Sequence, residues 1–449
     1  MKKSIITDLL AGLTVSFAAL SLGAAFGVMS GRGAFAGMLG AAVIPIIASL
    51  FGGTRVQASG PTAPMTAITA LVVAYAYEHF PDGKELAEQF ITLIILMSSL
   101  FIMLAGIFRL GKFIALVPNV VVLGFMNGIA VLIWIDQLKK LFGLAGKSAI
   151  EGGILTNSII AFGCLALIYL LPILLKKVGI PDHIRRFMPS IFITILLLTT
   201  ITSVTGIDVA RVELGSSIKT VSDFFTLVTS YFPTDSHLFT SEMLLAALPY
   251  ALQLCMLAYL DSLLTSLVVD KMTKETTKYN KELIAQGLAN GVSGLLQGIP
   301  GAQATIRSVL LIKEGAQNRV AGIFVGVFAL LGFLVFSNLI VLITSAVFVG
   351  VLFKAGLDVL DRDFAMAYFK NKWFKDKKRN IQLLFILYTT IITVVVDLNM
   401  AVISGTVLFY IGKKFFGFTD AESDFEEYHT DNMLGQDVEN EDFFEAKKL

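Results

Sequence analysis

Two ionisable side chains lie inside apolar runs, where an unpaired charge is costly. Asp261 sits in LAYLDSLLTS (257–266) and Arg307 in GAQATIRSVLL (301–311). Facing lipid at the centre of a bilayer, each would cost at least about 2.5–3.5 kcal/mol. Keeping both implies a polar cavity, a mutual pair or contact with an ion. The Asp261 carboxylate has Thr265 one turn later on the same helix face. With unwound carbonyls near Gln303 and Ala304, this set fits a small cation such as sodium. Arg307 at the start of a helix fits an oxyanion, which a guanidinium can hold through two parallel hydrogen bonds. A purely structural Asp261–Arg307 pair is the plain alternative.

The elements that must position these residues are broken ones. RVQASGPTAPMTAITALVV (55–73) places Ser59-Gly60-Pro61-Thr62 between two apolar stretches, and GIPGAQAT (298–305) does the same before Arg307. As helices, Thr62 to Tyr77 reaches only about 24 Å and Thr305 to Ile312 about 12 Å, short of a hydrocarbon core of about 30 Å. Bare backbone is not tolerated in lipid, so the two extended stretches are expected to meet and satisfy each other. Each then hands over to a half-helix, the first opening at Thr62 and Ala63 and the second at Ala304 and Thr305. Free N–H groups and the positive dipole end make each first turn an anion site. Pro61 suits a first turn, where its missing N–H costs nothing. An ordinary loop between two helices is the bland reading; the recurrence of the break at matching positions argues against it.

Composition sets the class. The 449 residues are 55% hydrophobic and 15% charged, with a mean hydropathy of +0.78; the chain reads as a polytopic membrane protein. The N-terminal apolar run is interrupted by Asp8 and followed by a dozen more, so it reads as a retained first span rather than a signal peptide. Cys164 and Cys255 offer neither a disulfide framework nor metal-ligand spacing. All four histidines fall in polar connecting segments. No Walker loop, Ser/His/Asp set or metal-ligand cluster is present, so the reading is not an enzyme, with no cofactor and no nucleic-acid partner. From Asp420 to Leu449 there are eleven acids and two lysines, leaving the body with about ten excess positive charges. That tail has the composition of a solvated, disordered segment.

Apolar candidates start near residues 10, 34, 62, 90, 114, 157, 187, 244, 283, 305, 320, 338, 381 and 399. The expected fold is an all-α membrane protein of fourteen transmembrane segments in a seven-plus-seven inverted repeat. The third and tenth segments are half-helices preceded by short extended strands. Residues 1–418 form the transmembrane domain, with a first repeat over about 8–204 and a second over about 242–416; 419–449 is the acidic tail. Basic loops at 176–186 and 369–379 place both termini in the cytoplasm of a multi-pass protein of the cell (inner or plasma) membrane. The basic loop 136–147 falls on the outside by parity and dissents. GAAFG (23–27) lets helices approach closely, and Trp134 reads as interfacial.

DLLAGLTVSFAALSLGAAFGVMSG (8–31), GGTRVQASGPTAPMTAI (52–68), DSLLTSLVVDKMT (261–273), NKELIAQGLANGVSGLLQGIPGAQATIRSVLLIKEG (280–315) and NRVAG (318–322) resemble the sulfate permease (SulP) family of anion transporters over roughly residues 5–415. The resemblance implies a core domain that moves against a gate domain, elevator-fashion, and homodimers are common. DSLLTS, NKELIAQG and GAQATIR are most similar to the sodium-dependent bicarbonate branch. That resemblance implies sodium at Asp261, Thr265, Gln303, Ala304 and Thr305, an anion-site arginine at Arg307 and an aromatic lining at Phe26; with the two half-helix starts, the expected anion site comprises Phe26, Thr62, Ala63, Ala304, Thr305 and Arg307. The chain departs from the family pattern at Ser21, where a proline is usual, and at Gln303, where a glycine is usual. The cytoplasmic STAS domain of most members is not found in the tail. The reading is sodium-coupled bicarbonate uptake across a lipid bilayer. Alternatives are transport of sulfate or a small fumarate-like dicarboxylate, proton-coupled or uncoupled, an anion channel, or a nucleobase–cation symporter of the same architecture.

Overall fold

The computed structural model describes residues 2–81, 83–144, 149–179, 190–211, 221–340, 342–360, 363–396, 398–416 and 420; the acidic tail beyond Asp420 and most of the basic 176–186 loop lie outside the described residues. Long apolar runs without internal breakers form α1 (Lys2–Ser30), α2 (Gly33–Phe51), α4 (Lys84–Ile107), α5 (Asn119–Phe142) and α6 (Ile154–Lys177). A two-residue strand β1 (Ser59–Gly60) and the helix α3 (Ala63–His79) stand between α2 and α4. After α7 (Ser190–Val204) and the short α8 (Val221–Ser230), the same order recurs. It comprises α9 (Ser241–Thr273), α10 (Tyr279–Leu295), strand β2 (Ala302–Gln303) and the nine-residue α11 (Thr305–Lys313). The chain closes with α12 (Val320–Ile340), α13 (Ser345–Val359), α14 (Asp363–Lys370), α15 (Lys377–Val395) and α16 (Leu398–Phe416).

Seven helices among the described residues are long and apolar enough to cross a membrane, and α7 and most of α12 form shorter apolar helices. The expected span near 338 is displaced, because α12 runs on to Ile340 and α13 begins at Ser345. Two short helices, α8 and α14, lie between the expected spans. His79 belongs to the last turn of α3, where its ring stacks on Tyr75.

The helices pack as two groups. In one, α1, α2, α4, α10 and α12 make the broadest contacts, with α3, α9 and α11 joined to them. In the other, α5 packs on α13, α15 and α16, and α6 packs on α13 and α7. Thinner links join the groups, chiefly α1 with α7 and α13, α3 with α5, and α9 with α16. A cavity of about 500 Å³ opens between them, with Val28, Gly31 and Gly33 on one side and Glu151, Ala210, Arg211 and Ser345 on the other. Small residues set the tightest crossing: a Cβ on Gly37 of α2 would stand 1.9 Å from the Gly23 carbonyl oxygen of α1. The indole N–H of Trp134 donates to the Phe353 carbonyl (3.2 Å) across the α5–α13 contact.

Candidate binding site

The two extended stretches do meet. β1 and β2 pair antiparallel, Ser59 opposite Gln303 and Gly60 opposite Ala302. The Ala304 amide extends the contact by donating to the Ala58 carbonyl (3.3 Å). The approach is close enough that a Cβ on Gly301 would stand 2.1 Å from the Gly60 carbonyl oxygen. This answers the backbone demand that lipid imposes and aims two helix starts at one region. Thr62 caps α3 with extended backbone (φ −122°, ψ 158°), and Ala304 caps α11 likewise (φ −97°, ψ 117°); neither side chain closes its own helix. The proline of the first turn is Pro64, not Pro61, which precedes the cap. Pro61 has another use: its carbonyl accepts from Arg307 Nη2 (2.8 Å).

Arg307 is 2% exposed in the first turn of α11. A buried guanidinium at a helix N-terminus adds positive charge to a positive dipole end. The guanidinium lies against Gly60, whose φ of +144° and missing Cβ make room for it. Its Nη1 is buried without a hydrogen-bond partner. One hydroxyl and one carboxylate oxygen near it are similarly placed: Thr62 Oγ1 and Asp261 Oδ2 are buried and make no hydrogen bond of ordinary geometry, although the Thr62 hydroxyl leans towards the Asp261 carboxylate. Asp261 stands within electrostatic reach of Arg307 and Thr62, yet its carboxylate forms no ion pair with Arg307, which turns to Pro61 instead. The direct structural pair is therefore not what holds the two charges. Buried polar atoms without partners are uncommon and ask for one.

One turn beyond Asp261, Thr265 Oγ1 lies 2.6 Å from Thr305 Oγ1 and donates to the Gln303 carbonyl (3.0 Å). The structure thus gathers Thr265, Gln303 and Thr305 on the α9 side of β2. Among the described residues no three His, Cys, Asp or Glu side chains gather to hold a metal ion. A cation here would rest on hydroxyl and carbonyl oxygens with Asp261, a donor set that suits a hard monovalent ion. Gln303 is fully buried; its Oε1 accepts from Ser266 (2.8 Å) and its Nε2 has no partner. The Ala304 carbonyl is engaged by the Ser308 amide (2.9 Å). Ala63 opens α3 as a buried residue, and Phe26 is buried in the apolar core on α1, which packs against α3 and α11.

The residues that fix this geometry escaped the sequence reading. Glu282 of α10 is fully buried and accepts from the Gly53 (2.8 Å) and Thr54 (2.9 Å) amides, Gln57 Nε2 (3.1 Å) and Gln286 Nε2 (2.8 Å). Gln286 also donates to Ser59 Oγ (2.7 Å). Asn290 clamps Gly301 from both sides, accepting from its amide (2.7 Å) and donating to its carbonyl (2.9 Å). Hence α10 holds the run into β1 and the entry to β2 together. Elsewhere Arg32 donates to Glu88 Oε2 (2.6 Å) and Gln297 Oε1 (2.6 Å), while Tyr77 donates to Glu88 Oε1 (2.7 Å). Asp8 accepts from Gln317 and Asn318. For Glu282, Arg32, Glu88 and Asp8 the sequence signal was a charge inside or beside an apolar run; Gln286 and Asn290 carried none.

Residues 5–376 match the sulfate permease family. The chain belongs to that family. It is 32% identical over 372 residues to the bicarbonate transporter BicA of Picosynechococcus sp., covering 80% of this chain and 62% of that protein. It is 31% identical to BicA of Synechocystis sp., over 88% of this chain and 67% of that one. The chain therefore spans about two thirds of the length of these relatives. Among solved structures, the transmembrane domain of a cyanobacterial bicarbonate transporter BicA superposes with a TM-score of 0.74 at 29% identity, covering 90% of this chain and 98% of that one. The family member is thus an all-helical membrane protein with that transmembrane fold, and the relatives named here are transporters rather than enzymes.

Proposed function

We propose that this protein is a secondary active transporter that carries bicarbonate across the cell membrane, driven by sodium. The observation that carries the proposal is the convergence of two half-helix N-termini, at Thr62 and Thr305, on a buried guanidinium with an unpartnered N–H. Two dipole ends and Arg307 make a concentrated positive field. A small anion would complete it, taking hydrogen bonds from Arg307 Nη1 and Thr62 Oγ1. Sodium bound by Asp261, Thr265, Thr305 and the Gln303 carbonyl would neutralise the carboxylate that otherwise opposes an anion nearby. Binding of either ion then favours the other, which is coupling in its thermodynamic sense. The likeness to BicA over nearly the whole transmembrane fold supports bicarbonate as the anion.

The two packing groups suit an elevator. The site belongs to the group built on α1–α4 and α9–α12, the core; α5–α7, α13, α15 and α16 act as the gate. Thin links between them and the cavity at their boundary favour sliding of one against the other. The antiparallel meeting of β1 and β2 fits seven-plus-seven repeats of opposite orientation, with both termini cytoplasmic. A second reading, sulfate, draws on the family and on the spare donors, since a tetrahedral dianion uses more hydrogen bonds.

The deciding experiment is uptake of labelled bicarbonate, sulfate and fumarate into proteoliposomes with and without an inward sodium gradient. Bicarbonate accumulation that needs the gradient is expected. Equal uptake without sodium would remove the coupling, and preference for sulfate would transfer the site to the dianion. Failure of all three substrates would overturn the reading.

A further inference from the structure

The stretch between α13 and α15 folds into an aromatic nest at the start of α15. Within α14, Phe364 and Tyr368 fall one turn apart, with ring centroids 6.4 Å from each other. Tyr368 is buried, and its hydroxyl donates to Asn380 Oδ1 (2.6 Å) on α15. Lys372, in the left-handed region (φ 53°), folds the chain back. Trp373 and Phe374 thereby return to the Tyr368 ring, at 6.5 and 5.4 Å between centroids. The Phe374 carbonyl accepts from Asn380 Nδ2 (3.0 Å), and the Arg379 guanidinium lies 4.4 Å from the centroid of the Trp373 ring. These contacts fix α14 and the turn after it against the beginning of α15.

The other face of the nest is uncovered. Met366, Phe369 and Phe374 are 58%, 66% and 54% exposed, large apolar groups that a water-facing surface rarely presents together. Lys370, Lys372, Lys375, Lys377 and Lys378 alternate with them along the chain and are exposed. Among the described residues none of the five has a carboxylate within ion-pair reach. The one acid in that run, Asp376, is engaged in capping α15 through the Lys378 and Arg379 amides. Apolar and basic side chains interleaved on one exposed face suit a membrane interface, with rings among the upper acyl chains and ammonium groups at the phosphates.

Position along α15 agrees. Leu384, Leu387, Ile391 and Val395 form an exposed apolar stripe on one side of that helix. The 19 residues of α15 make about 28 Å of helix, close to the hydrocarbon thickness of about 30 Å. Its first residues therefore mark one boundary of the bilayer. Lys377 stands seven residues before Leu384, about 10 Å along the axis, which sets the lysines at headgroup level while the stripe faces acyl chains. Continuity with a lipid-facing stripe, together with unpaired positive charge, selects a negatively charged lipid as the occupant.

We propose that the exposed face of residues 366–378 is a binding surface for anionic phospholipids, the lysines holding headgroup phosphates while Met366, Phe369 and Phe374 insert beneath them. The surface is attached to α15, in the packing group that does not carry the candidate binding site. It anchors that group to one leaflet whatever the transported solute is.

The test uses the full chain in nanodiscs. The chain has two tryptophans, so Trp134→Phe leaves Trp373 as a single reporter, quenched by brominated acyl chains that come within reach. At 0.1 M salt and equal mole fraction, brominated phosphatidylglycerol should associate at least about five-fold better than brominated phosphatidylcholine, the amount one lysine supplies near an anionic surface. At 1 M salt, where the screening length falls from about 10 to about 3 Å, the preference should fall towards unity. Combined Lys370→Gln, Lys372→Gln, Lys375→Gln, Lys377→Gln and Lys378→Gln should abolish it while Tm holds. If Trp134→Phe does not fold, the same lysine comparison in the two-tryptophan chain reports the site, because Trp134 lies away at the α5–α13 contact. Equal quenching by the two lipids, or a preference indifferent to the lysine substitutions, overturns the proposal. So does an absence of quenching by either lipid, which would give the face to the acidic tail or to a second copy of the chain. Loss of the preference on adding inorganic phosphate at constant ionic strength would give the lysines to a soluble anion and overturn it too.

Discussion

Substitution of Gly60 by alanine probes the site without removing any polar group. A Cβ there would stand 2.9 Å from Arg307 Nη1, 3.3 Å from Nη2 and 3.4 Å from Cζ. Carbon contacts settle nearer 3.5–4.0 Å, so the guanidinium must withdraw by roughly half an ångström to an ångström. Withdrawal strains or breaks the Nη2 bond to Pro61 and displaces Nη1, the donor proposed for the anion. Loss of one charge-assisted hydrogen bond costs about 1.5–3 kcal/mol, equivalent to about a 10–150-fold rise in anion KM. The positive φ adds about 1–3 kcal/mol to the cost of folding, so thermal unfolding is read alongside uptake. The control is a double-mutant cycle with Arg307→Ala. If Gly60→Ala acts through the guanidinium, it should do almost nothing further in the Arg307→Ala background. An unchanged KM in a folded Gly60→Ala protein, or losses that multiply in the double variant, would refute the reasoning.

Asp261→Asn should remove sodium activation of uptake while the protein stays folded by thermal unfolding, because the isosteric amide keeps an acceptor facing Thr62 and Arg307; retained sodium activation would take Asp261 out of the cation site. Thr62→Val should separate stability from affinity. The fold should change by no more than about 1 kcal/mol, since the hydroxyl makes at most one hydrogen bond, towards the Asp261 carboxylate, yet anion KM should rise several-fold by uptake assay. Glu88→Gln strips Arg32 of its buried counter-charge and should destabilise by about 3–5 kcal/mol, read as a lowered Tm. Arg32→Met added to it should recover part of that loss, and no recovery would show that the pair is not what Glu88 supports.

The breaks at 59–62 and 302–305 were legible because their cause is local: small, proline and hydroxyl residues interrupt apolar runs too short to span. Asp261 and Arg307 were legible because charge is conspicuous in such runs. What could not be read is which distant group each polar residue meets. Glu282 binds amides at Gly53 and Thr54, and Asp8 binds Gln317 and Asn318. Such pairings join stretches more than 200 residues apart and leave no periodic trace. Pro61 and Pro64 were confused for a related reason. Either suits a helix start, and only the strand pairing decides that α3 opens after Thr62.

The ladder between Ser59–Gly60 and Ala302–Gln303 has a consequence for biogenesis. Its halves are made about 240 residues apart. At about 5–20 residues per second the first waits on the order of 10–50 s for its mate. During that interval the amides and carbonyls of 58–60 sit in a nascent, half-inserted bundle with no complementary edge. Water within the insertion machinery, or a temporary protein escort, must serve them until the later helices arrive. Ribosome stalling between residues 100 and 290 should therefore leave a cysteine at Ser59→Cys open to a small water-soluble thiol reagent, and completion of the chain should close it.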